Sequence, residues 1–289
     1  MVSRQDFESP EPATWCKGCG DYGIMYAIRM ALAEQEIAPH QIVIYSGIGC
    51  GGKLPHYMHV NGFHGLHGRA LPAATGARLA NPDMPILVVH GDGDGYGMGL
   101  GHFCHAIRRN VNLVDLVQNN RVYGLTRGQY SPTSDQGMET STSPEGAIER
   151  PVPPLALALA MGATFVARGY VAEMQHLVWL IGEALHHRGY ALLDVLQPCV
   201  TYNRPSSYGF YTPRVYKLQE TEHDTSDKAA AMQLTSEWEG RIPLGIFYRT
   251  EAVPTYEGQE PALELGSPVK RPLVKLQPEQ IEALLAEAR

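Results

Sequence analysis

Two apolar runs of the sequence end in residues that suit the binding of a diphosphate and a metal ion. Residues 86–90 (ILVVH) lead directly into GDGDG at positions 91–95, and residues 113–118 (LVDLVQ) lead directly into two asparagines at 119–120. Twenty-five residues lie between Gly93 and Asn119, which is room for one crossover helix. Because parallel strands joined in this way end on the same edge of a sheet, we expect an aspartate and an asparagine to meet there.

The side chains at these two positions suit Mg²⁺, which takes oxygen ligands and usually shares them with a diphosphate. Asp92 offers a carboxylate oxygen, Asn120 an amide oxygen, and Val122 a backbone carbonyl just after the asparagine pair. Gly91 and Gly93 let the backbone approach a pyrophosphate closely, and the N-terminus of the following helix adds N–H donors. A lone GDG often marks an ordinary tight turn, but GDG and NN at this spacing together predict a site for thiamine pyrophosphate and Mg²⁺.

The cysteines form a second group with possible chemistry. Cys16 and Cys19 make a C-x-x-C pair among glycines, while Cys50 and Cys199 each follow a predicted strand on the same edge as the GDG and NN motifs. Four thiolates that converge there suit a [4Fe–4S] cluster or a structural zinc ion. The C-x-x-C pair is also compatible with a redox dithiol. Cys104, the fifth cysteine, is interpreted as a buried cysteine of a helix.

Four histidines lie in a glycine-rich stretch between these motifs. His56, His59, His64 and His67 make two H-x-x-H pairs, but no carboxylate stands at metal-ligand spacing from them, which disfavours a zinc site. His64 and His67 are instead candidates for contact with the thiamine phosphates or the substrate. A plain structural role is the alternative for each.

Three further polar residues are candidates for the substrate side of the site. Lys53 stands three residues after Cys50 and could hold a carboxylate, with a solvated lysine as the alternative. Thr126 and Arg127 follow the predicted Mg²⁺ loop and could reach the substrate or the pyrophosphate, with a surface salt bridge as the alternative for Arg127. The predicted cofactor-binding residues are thus Gly91, Asp92, Gly93, Asp94, Asn120, Val122, His67, Cys50 and Thr126.

The segments around these motifs alternate between strand and helix patterns. Short apolar runs predict strands at 42–46, 86–90, 113–118, 164–167 and 190–196, and helical periodicity marks 23–35, 70–80, 99–109, 155–161 and 171–187. This alternation is typical of an α/β fold with a parallel sheet covered by helices on both faces. We divide the chain into an N-terminal cluster-binding segment (1–22), a thiamine pyrophosphate-binding domain (23–200) and a C-terminal extension (201–289). The extension is expected to pack on the domain or on a partner, with a helix at 227–239, a strand at 244–248 and a terminal helix at 279–289.

Composition excludes several other classes of function. The chain has 289 residues and a formal net charge of −7, so it lacks the basic excess that nucleic-acid binding requires. No run of about 18 apolar residues is present, so no membrane span is expected. The polar N-terminus does not resemble a signal peptide, which predicts a cytoplasmic protein whose thiols stay reduced.

Five segments together resemble the β subunit of 2-oxoacid:ferredoxin oxidoreductases: WCKGCGDYG, SGIGCGGKLP, HGLHGRALPAATGARLANPD, GDGDGYGMGLGHFCHAIRRN and NNRVYGLTRGQYSPT. The resemblance covers about residues 12–250 and implies the thiamine-diphosphate-binding (pyrophosphate-module) fold. It also implies a [4Fe–4S] cluster rather than zinc at the four cysteines Cys16, Cys19, Cys50 and Cys199. The same resemblance implies Mg²⁺ at Asp92, Asn120 and the Val122 carbonyl, and it assigns Lys53 and Leu125 to the substrate side.

The resemblance further implies an enzyme that works only with a partner. No residue can be assigned as the glutamate that activates the thiamine ring, and in this family that residue comes from the α subunit, in an expected (αβ)₂ assembly. The implied reaction is CoA-dependent oxidative decarboxylation of a 2-oxoacid, or its CO₂-fixing reverse, with electrons passed through the cluster to ferredoxin. The segment at 223–251 resembles subunits assigned to 2-oxoglutarate more than those assigned to pyruvate, which favours succinyl-CoA as product.

Two other classes of function remain open from the sequence. A non-oxidative thiamine-dependent decarboxylase or carboligase would use the GDG and NN motifs without needing four convergent cysteines. A non-enzymatic electron-transfer or zinc-stabilised subunit would use the cysteines without needing the thiamine site.

Overall fold

The computed structural model describes residues 1–272 and 276–287 and is built around an eight-stranded sheet. The strands are β1 (Val43–Ser46), β2 (Asn61–His64), β3 (Ile86–Gly91), β4 (Leu113–Asn119), β5 (Phe165–Tyr170), β6 (Tyr190–Leu196), β7 (Val215–Lys217) and β8 (Ile242–Arg249). Their order across the sheet is β2-β1-β3-β4-β6-β5-β8-β7. Every neighbouring pair is parallel except β5 and β8, which run antiparallel.

Helices cover both faces of this sheet. They are α1 (Gly20–Glu34), α2 (Ala70–Ala80), α3 (Leu100–Arg109), α4 (Pro154–Ala160), α5 (Met174–His186), α6 (Tyr208–Tyr211), α7 (Lys228–Leu234), α8 (Tyr256–Gln259) and α9 (Pro278–Glu287). Helices α1 and α5 pack on one face, and α2, α3, α4 and α7 pack on the other. The predicted α/β fold with helices on both faces is therefore confirmed.

Alternation along the strands explains why the sheet has two apolar layers. In β3, Leu87 and Val89 join the core under α1 and α5, while Ile86 and Val88 join the core on the opposite face. Successive side chains of a strand point to opposite faces, so a strand that is apolar throughout must be covered on both. The central strands β3, β4 and β6 are almost entirely buried, which keeps their carboxyl ends at fixed positions.

The C-terminal extension contributes to the sheet itself. Strand β8 pairs with β5, and the short strand β7 pairs with β8, so this part of the extension packs on the main domain. The predicted strand at 244–248 lies inside the longer β8, and the helix predicted at 227–239 is the shorter α7. The terminal helix α9 is present, although residues 288–289 of that prediction lie outside the described part of the chain.

Several local features differ from the sequence-based expectations. Strands β2 and β7 were not predicted, because β2 (NGFH) is exposed and contains no apolar run and β7 has only three residues. Helix α1 begins at Gly20, inside the predicted N-terminal segment. The chain after Asp92 forms a wide π-helical segment, Gly93–Met98, before α3 begins at Leu100. Among the described residues, no helix has the length and apolar character needed to cross a membrane.

Candidate cofactor and cluster site

A cleft of about 110 Å³ opens at the carboxyl ends of β1, β3 and β4. It is lined by residues 48–51, 91–94 and 122–126, together with His67, Gln118 and Asn120. All of the predicted cofactor-binding residues line this cleft, and Leu125 from the substrate-side pair lines it too. The cleft thus brings together motifs that are far apart in the sequence.

Asp92 is buried at the floor of the cleft and has hydroxyl partners that the sequence did not reveal. Its Oδ2 accepts hydrogen bonds from the hydroxyls of Thr133 (2.6 Å) and Ser131. Burial raises the pKa of Asp92, although these two donors oppose the rise. A cation beside the carboxylate would favour its charged form. Asn120 presents its Oδ1 nearby and accepts the backbone N–H of Val122 at 3.1 Å, which leaves the second lone pair of that oxygen available to a metal ion.

The carboxylate of Asp94 is engaged by the protein on both oxygens. Its Oδ1 accepts from the backbone N–H groups of Ile48 (2.9 Å) and Gly68 (2.8 Å) and pairs with His67 Nδ1 at 2.6 Å. Its Oδ2 pairs with His90 Nδ1 at 3.1 Å. Burial opposes ionisation, but the hydrogen bonds and charge of His90 and the donors of the two loops hold the pKa of Asp94 at about 2. Asp94 therefore holds in place the loops at Ile48 and Gly68, which border the cleft.

His90 continues this network into the core. Its Nε2 lies 2.6 Å from Asp115 Oδ1, and the hydroxyl of Tyr190 donates to the other oxygen of Asp115. Burial alone would lower the pKa of His90, but Asp115 and Asp94 outweigh it and raise that pKa to about 10. A protonated His90 then compensates two buried carboxylates, as buried charges require.

Two cysteines of the predicted cluster, Cys50 and Cys199, lie next to the cleft. A Cβ added to Gly124, which lines the cleft, would lie 3.5 Å from Cys50 Sγ and 3.8 Å from Cys199 Sγ. The C-x-x-C segment is tied to the same place because the indole N–H of Trp15 donates to the Cys50 carbonyl at 2.7 Å. Cys19 is the N-cap residue of α1 and so directly precedes its first turn.

The electrostatics of the thiols also indicate a shared environment. Burial raises the pKa of Cys50 to about 11, and Asp21, Cys199 and Cys16 add to this rise. Thiolates are the form that binds metal, so a positive centre is needed to draw the protons off these sulfurs. The described residues contain no group of three or more His, Cys, Asp or Glu arranged to hold a metal ion.

Lys53, unlike Leu125, does not line the cleft. Its Nζ donates to the hydroxyl of Thr14 at 3.3 Å, and its charge opposes the rise that burial causes in the pKa values of Asp21 and Cys50. Lys53 therefore lies on the cysteine side of the site. Arg127 is exposed and adopts a left-handed backbone conformation with φ of 78°.

The histidines of the two H-x-x-H pairs contact different partners. His59 Nδ1 lies 3.1 Å from the Asp6 carbonyl, while His64 Nδ1 lies 2.9 Å from both Ser46 Oγ and the Gly52 carbonyl. The ring of His56 packs edge-on against that of His64. Of these four histidines only His67 lines the cleft, whereas His64, the other candidate for contact with the cofactor or substrate, does not.

Gln118 is a cleft residue that was not selected from the sequence. Its side chain is 1% exposed, and neither its amide oxygen nor its amide nitrogen has a hydrogen-bond partner among the described residues. The amide packs so closely on Gly51 that an added Cβ there would lie 2.3 Å from Gln118 Oε1. Strand alternation provides the signal that could have identified it, because Gln118 and Asn120 share a face of the strand end.

Two family descriptions match this chain. The thiamine pyrophosphate enzyme C-terminal TPP-binding domain matches residues 37–195, and the C-terminal family of the pyruvate ferredoxin oxidoreductase β subunit matches residues 199–264. The first match spans β1 to β6 and includes the whole cleft. The fold and the cleft thus define a domain of the thiamine pyrophosphate enzymes.

The relatives define the family more closely. The chain is 47% identical over 255 residues to the 2-oxoacid:ferredoxin oxidoreductase subunit β of Saccharolobus solfataricus, with 84% of each chain covered. It is 46% identical over 199 residues to the 2-oxoglutarate oxidoreductase subunit KorB of Mycobacterium tuberculosis, which covers 69% of this chain and 53% of that one. This chain belongs to the β subunits of the 2-oxoacid:ferredoxin oxidoreductases, which confirms the resemblance noted in the sequence.

A solved structure agrees with this assignment. The 2-oxoglutarate:ferredoxin oxidoreductase from Magnetococcus marinus, with 2-oxoglutarate, coenzyme A and succinyl-CoA bound, matches with a TM-score of 0.88. The identity is 38%, and the match covers 98% of this chain and 95% of that one. The likeness therefore extends through the C-terminal extension.

We predict that Gln118→Leu changes stability and cofactor binding in opposite directions. An unsatisfied buried amide costs about 1–3 kcal/mol, so its removal should raise the thermal stability of the cofactor-free protein. Loss of the amide as a partner should weaken thiamine pyrophosphate binding roughly tenfold. Both quantities can be measured by thermal unfolding and calorimetric titration of the chain purified with its partner. Gln136→Leu, at an exposed position outside the cleft, is the control, and an unchanged cofactor affinity in Gln118→Leu would contradict the prediction.

Proposed function

We propose that this chain binds thiamine pyrophosphate, Mg²⁺ and a [4Fe–4S] cluster and, with an α subunit, oxidises 2-oxoglutarate to succinyl-CoA or runs the reverse reaction. Electrons pass through the cluster to ferredoxin. The observation that carries the proposal is that Cys50 and Gly124 belong to the cleft that holds Asp92 and Asn120, while Gly124 also borders the Cys199 sulfur. A cofactor in the cleft would therefore stand next to the cysteines.

The diphosphate end of the cofactor has suitable residues in this chain. Asp92 and the Asn120 amide supply oxygens for Mg²⁺, the Val122 carbonyl is the third proposed ligand, and Gly91 and Gly93 keep side chains out of the way. When bound, thiamine pyrophosphate supplies an electron sink for decarboxylation of the 2-oxoacid. The proposed task of this chain is to hold the diphosphate half of the cofactor.

The cluster is proposed at Cys16, Cys19, Cys50 and Cys199. The donor set fits a cluster, because partly buried thiols resist ionisation until a metal centre binds them, as the raised pKa of Cys50 indicates. The sulfurs of Cys50 and Cys199 approach the same glycine, and the Trp15 indole holds the C-x-x-C segment to the Cys50 loop. These contacts favour an electron path out of the cleft, which a non-oxidative thiamine enzyme would not need.

The partner is proposed to be an α subunit that completes the site. No glutamate among the described residues lines the cleft, so the group that activates the aminopyrimidine is expected from the partner. Leu125 is exposed at the cleft mouth and Lys53 lies toward the cysteines, and both remain proposed substrate-side residues. An (αβ)₂ assembly, the use of coenzyme A and ferredoxin, and a cytoplasmic location are further parts of the proposal.

The substrate preference can be tested with the assembled enzyme. The chain should be co-expressed with its partner subunit, and CoA-dependent viologen reduction should be measured without oxygen on 2-oxoglutarate and on pyruvate. We expect faster reduction with 2-oxoglutarate. A preference for pyruvate would overturn the substrate assignment alone, whereas no reduction with any 2-oxoacid by iron-loaded complex would overturn the proposed activity.

Asp92→Ala should abolish the Mg²⁺-dependent part of cofactor binding. Loss of an outer partner of a metal site already weakens affinity about 10–100-fold, so loss of a direct ligand should weaken it at least about 100-fold. Calorimetric titration of thiamine pyrophosphate with and without Mg²⁺ measures this effect. Asp83→Ala, at an exposed carboxylate that follows α2, is the matched control. Unchanged binding in Asp92→Ala would rule out the proposed Mg²⁺ ligand.

Cys199→Ala should lower the iron content of the complex and its charge-transfer absorbance. The fifth cysteine, Cys104, supplies the control because it lies in α3 against the opposite face of the sheet. The complex that carries Cys104→Ala should therefore contain as much iron as the wild-type complex. Iron and absorbance are measured after anaerobic purification. Wild-type iron in Cys199→Ala would contradict the cluster assignment, and an iron-free wild-type complex that still binds the cofactor would favour a non-oxidative thiamine enzyme.

A further inference from the structure

We propose that Gln197 tunes the reduction potential of the cluster by donating its side-chain amide N–H to the Cys19 sulfur. This inference rests on the proposed function, because it assigns a role toward the cluster proposed above. The distance from Gln197 Nε2 to Cys19 Sγ is 3.4 Å. Gln197 is thus a positioning residue, which acts on the cluster through one of its ligands.

The contact is built into the fold. Gln197 is 1% exposed, and its backbone N–H donates to the Asn119 carbonyl at 3.0 Å, which continues the pairing of β6 with β4. Its side chain crosses to the start of α1, where Gly20 leaves room for it: an added Cβ at Gly20 would lie 2.6 Å from Gln197 Cγ. The backbone of Gln197 is thus held by β4 and its side chain packs against Gly20, which brings the amide nitrogen to the Cys19 sulfur.

The orientation of the amide also favours a donor role. The amide oxygen of Gln197 is buried without a hydrogen-bond partner among the described residues. The amide nitrogen, in contrast, donates to the Cys19 sulfur. Cys19 also has nearby Asp21, whose carboxyl lies 3.3 Å from its sulfur, Cys199 and Tyr208. Gln197 differs from these groups because it offers an amide N–H to the sulfur.

The effect of this hydrogen bond on the reduction potential follows from the change in charge of the cluster when it is reduced. Hydrogen bonds to the sulfurs are one of the properties that set the potential of an iron–sulfur centre. In the proposed reaction the oxidation of the 2-oxoacid releases two electrons, which would pass one at a time through the cluster to ferredoxin, and Gln197 gives up no proton. An N–H donor stabilises the reduced form more than the oxidised form, because the reduced form carries one more negative charge on its sulfurs. Gln197 should therefore raise the potential.

The test is an EPR-monitored redox titration of the assembled complex that carries Gln197→Leu. We expect a tenfold shift toward the oxidised cluster at a fixed potential, which corresponds to a midpoint lower by about 59 mV for a one-electron couple. Gln219→Leu is the matched control, since that amide bonds His176 instead of a cysteine and its midpoint should equal the wild-type value. Iron content is measured on the same samples.

The outcomes separate this inference from the proposed function. A wild-type midpoint in Gln197→Leu with full iron would overturn the role of Gln197 and leave the cluster assignment standing. An iron-free wild-type complex would overturn the cluster and this inference together. If the Gln197→Leu complex loses iron, the redox titration is repeated with Gln197→Met. Methionine keeps an unbranched side chain but has no hydrogen-bond donor. Loss of iron from both variants would overturn the tuning role, because Gln197 would then be needed to hold the cluster.

Discussion

The Asp94 carboxylate is the interaction on which the shape of the site depends. It accepts hydrogen bonds from Ile48 on the loop after β1 and from Gly68 on the loop before α2, while its own backbone lies just after β3. The imidazole of His90, 3.1 Å from Asp94 Oδ2, supplies the positive charge that compensates this carboxylate. A single ionised group thus holds three segments around one cleft, and the Ile48 loop that it holds carries Cys50. The position of that cysteine is therefore coupled to the walls of the cofactor cleft.

Polar residues that stand close together in the two motifs differ in what their side chains contact. Asp92 faces the cleft with one oxygen held by hydroxyls, whereas Asp94 points back into the loops. In the asparagine pair, Asn120 lines the cleft while the Asn119 amide donates to the buried Asp194 at 3.1 Å. The motif GDGDG followed by NN therefore contains two residues that are proposed to bind the ligand and two whose side chains are engaged by the protein itself. Residue types alone could not have separated these roles.

The sequence predicted the central strands of the sheet, the main covering helices and many of the residues that line the cleft, because buried strands and their polar ends leave clear local patterns. It could not predict contacts that depend on distant pairing. Ser131 and Thr133 reach Asp92 from a loop without regular structure, and Asn203 donates to the Asn120 carbonyl at 3.0 Å from beyond Cys199. The antiparallel strand β8 was predicted only as an isolated strand, since nothing in its apolar pattern specifies its partner or direction.

One backbone register connects the two halves of the site. Asn119 at the end of β4 stands opposite Leu196 at the end of β6, and the N–H of Gln197 extends this pairing by one further bond to the Asn119 carbonyl. Asn120 directly follows β4, and Cys199 follows the end of β6 by three residues. A shift of the β4–β6 register would move the proposed Mg²⁺ ligand relative to the proposed cluster ligand, so the pairing of two buried strands sets the separation between the two proposed sites. The electron path proposed above would in this sense depend on the register of the sheet.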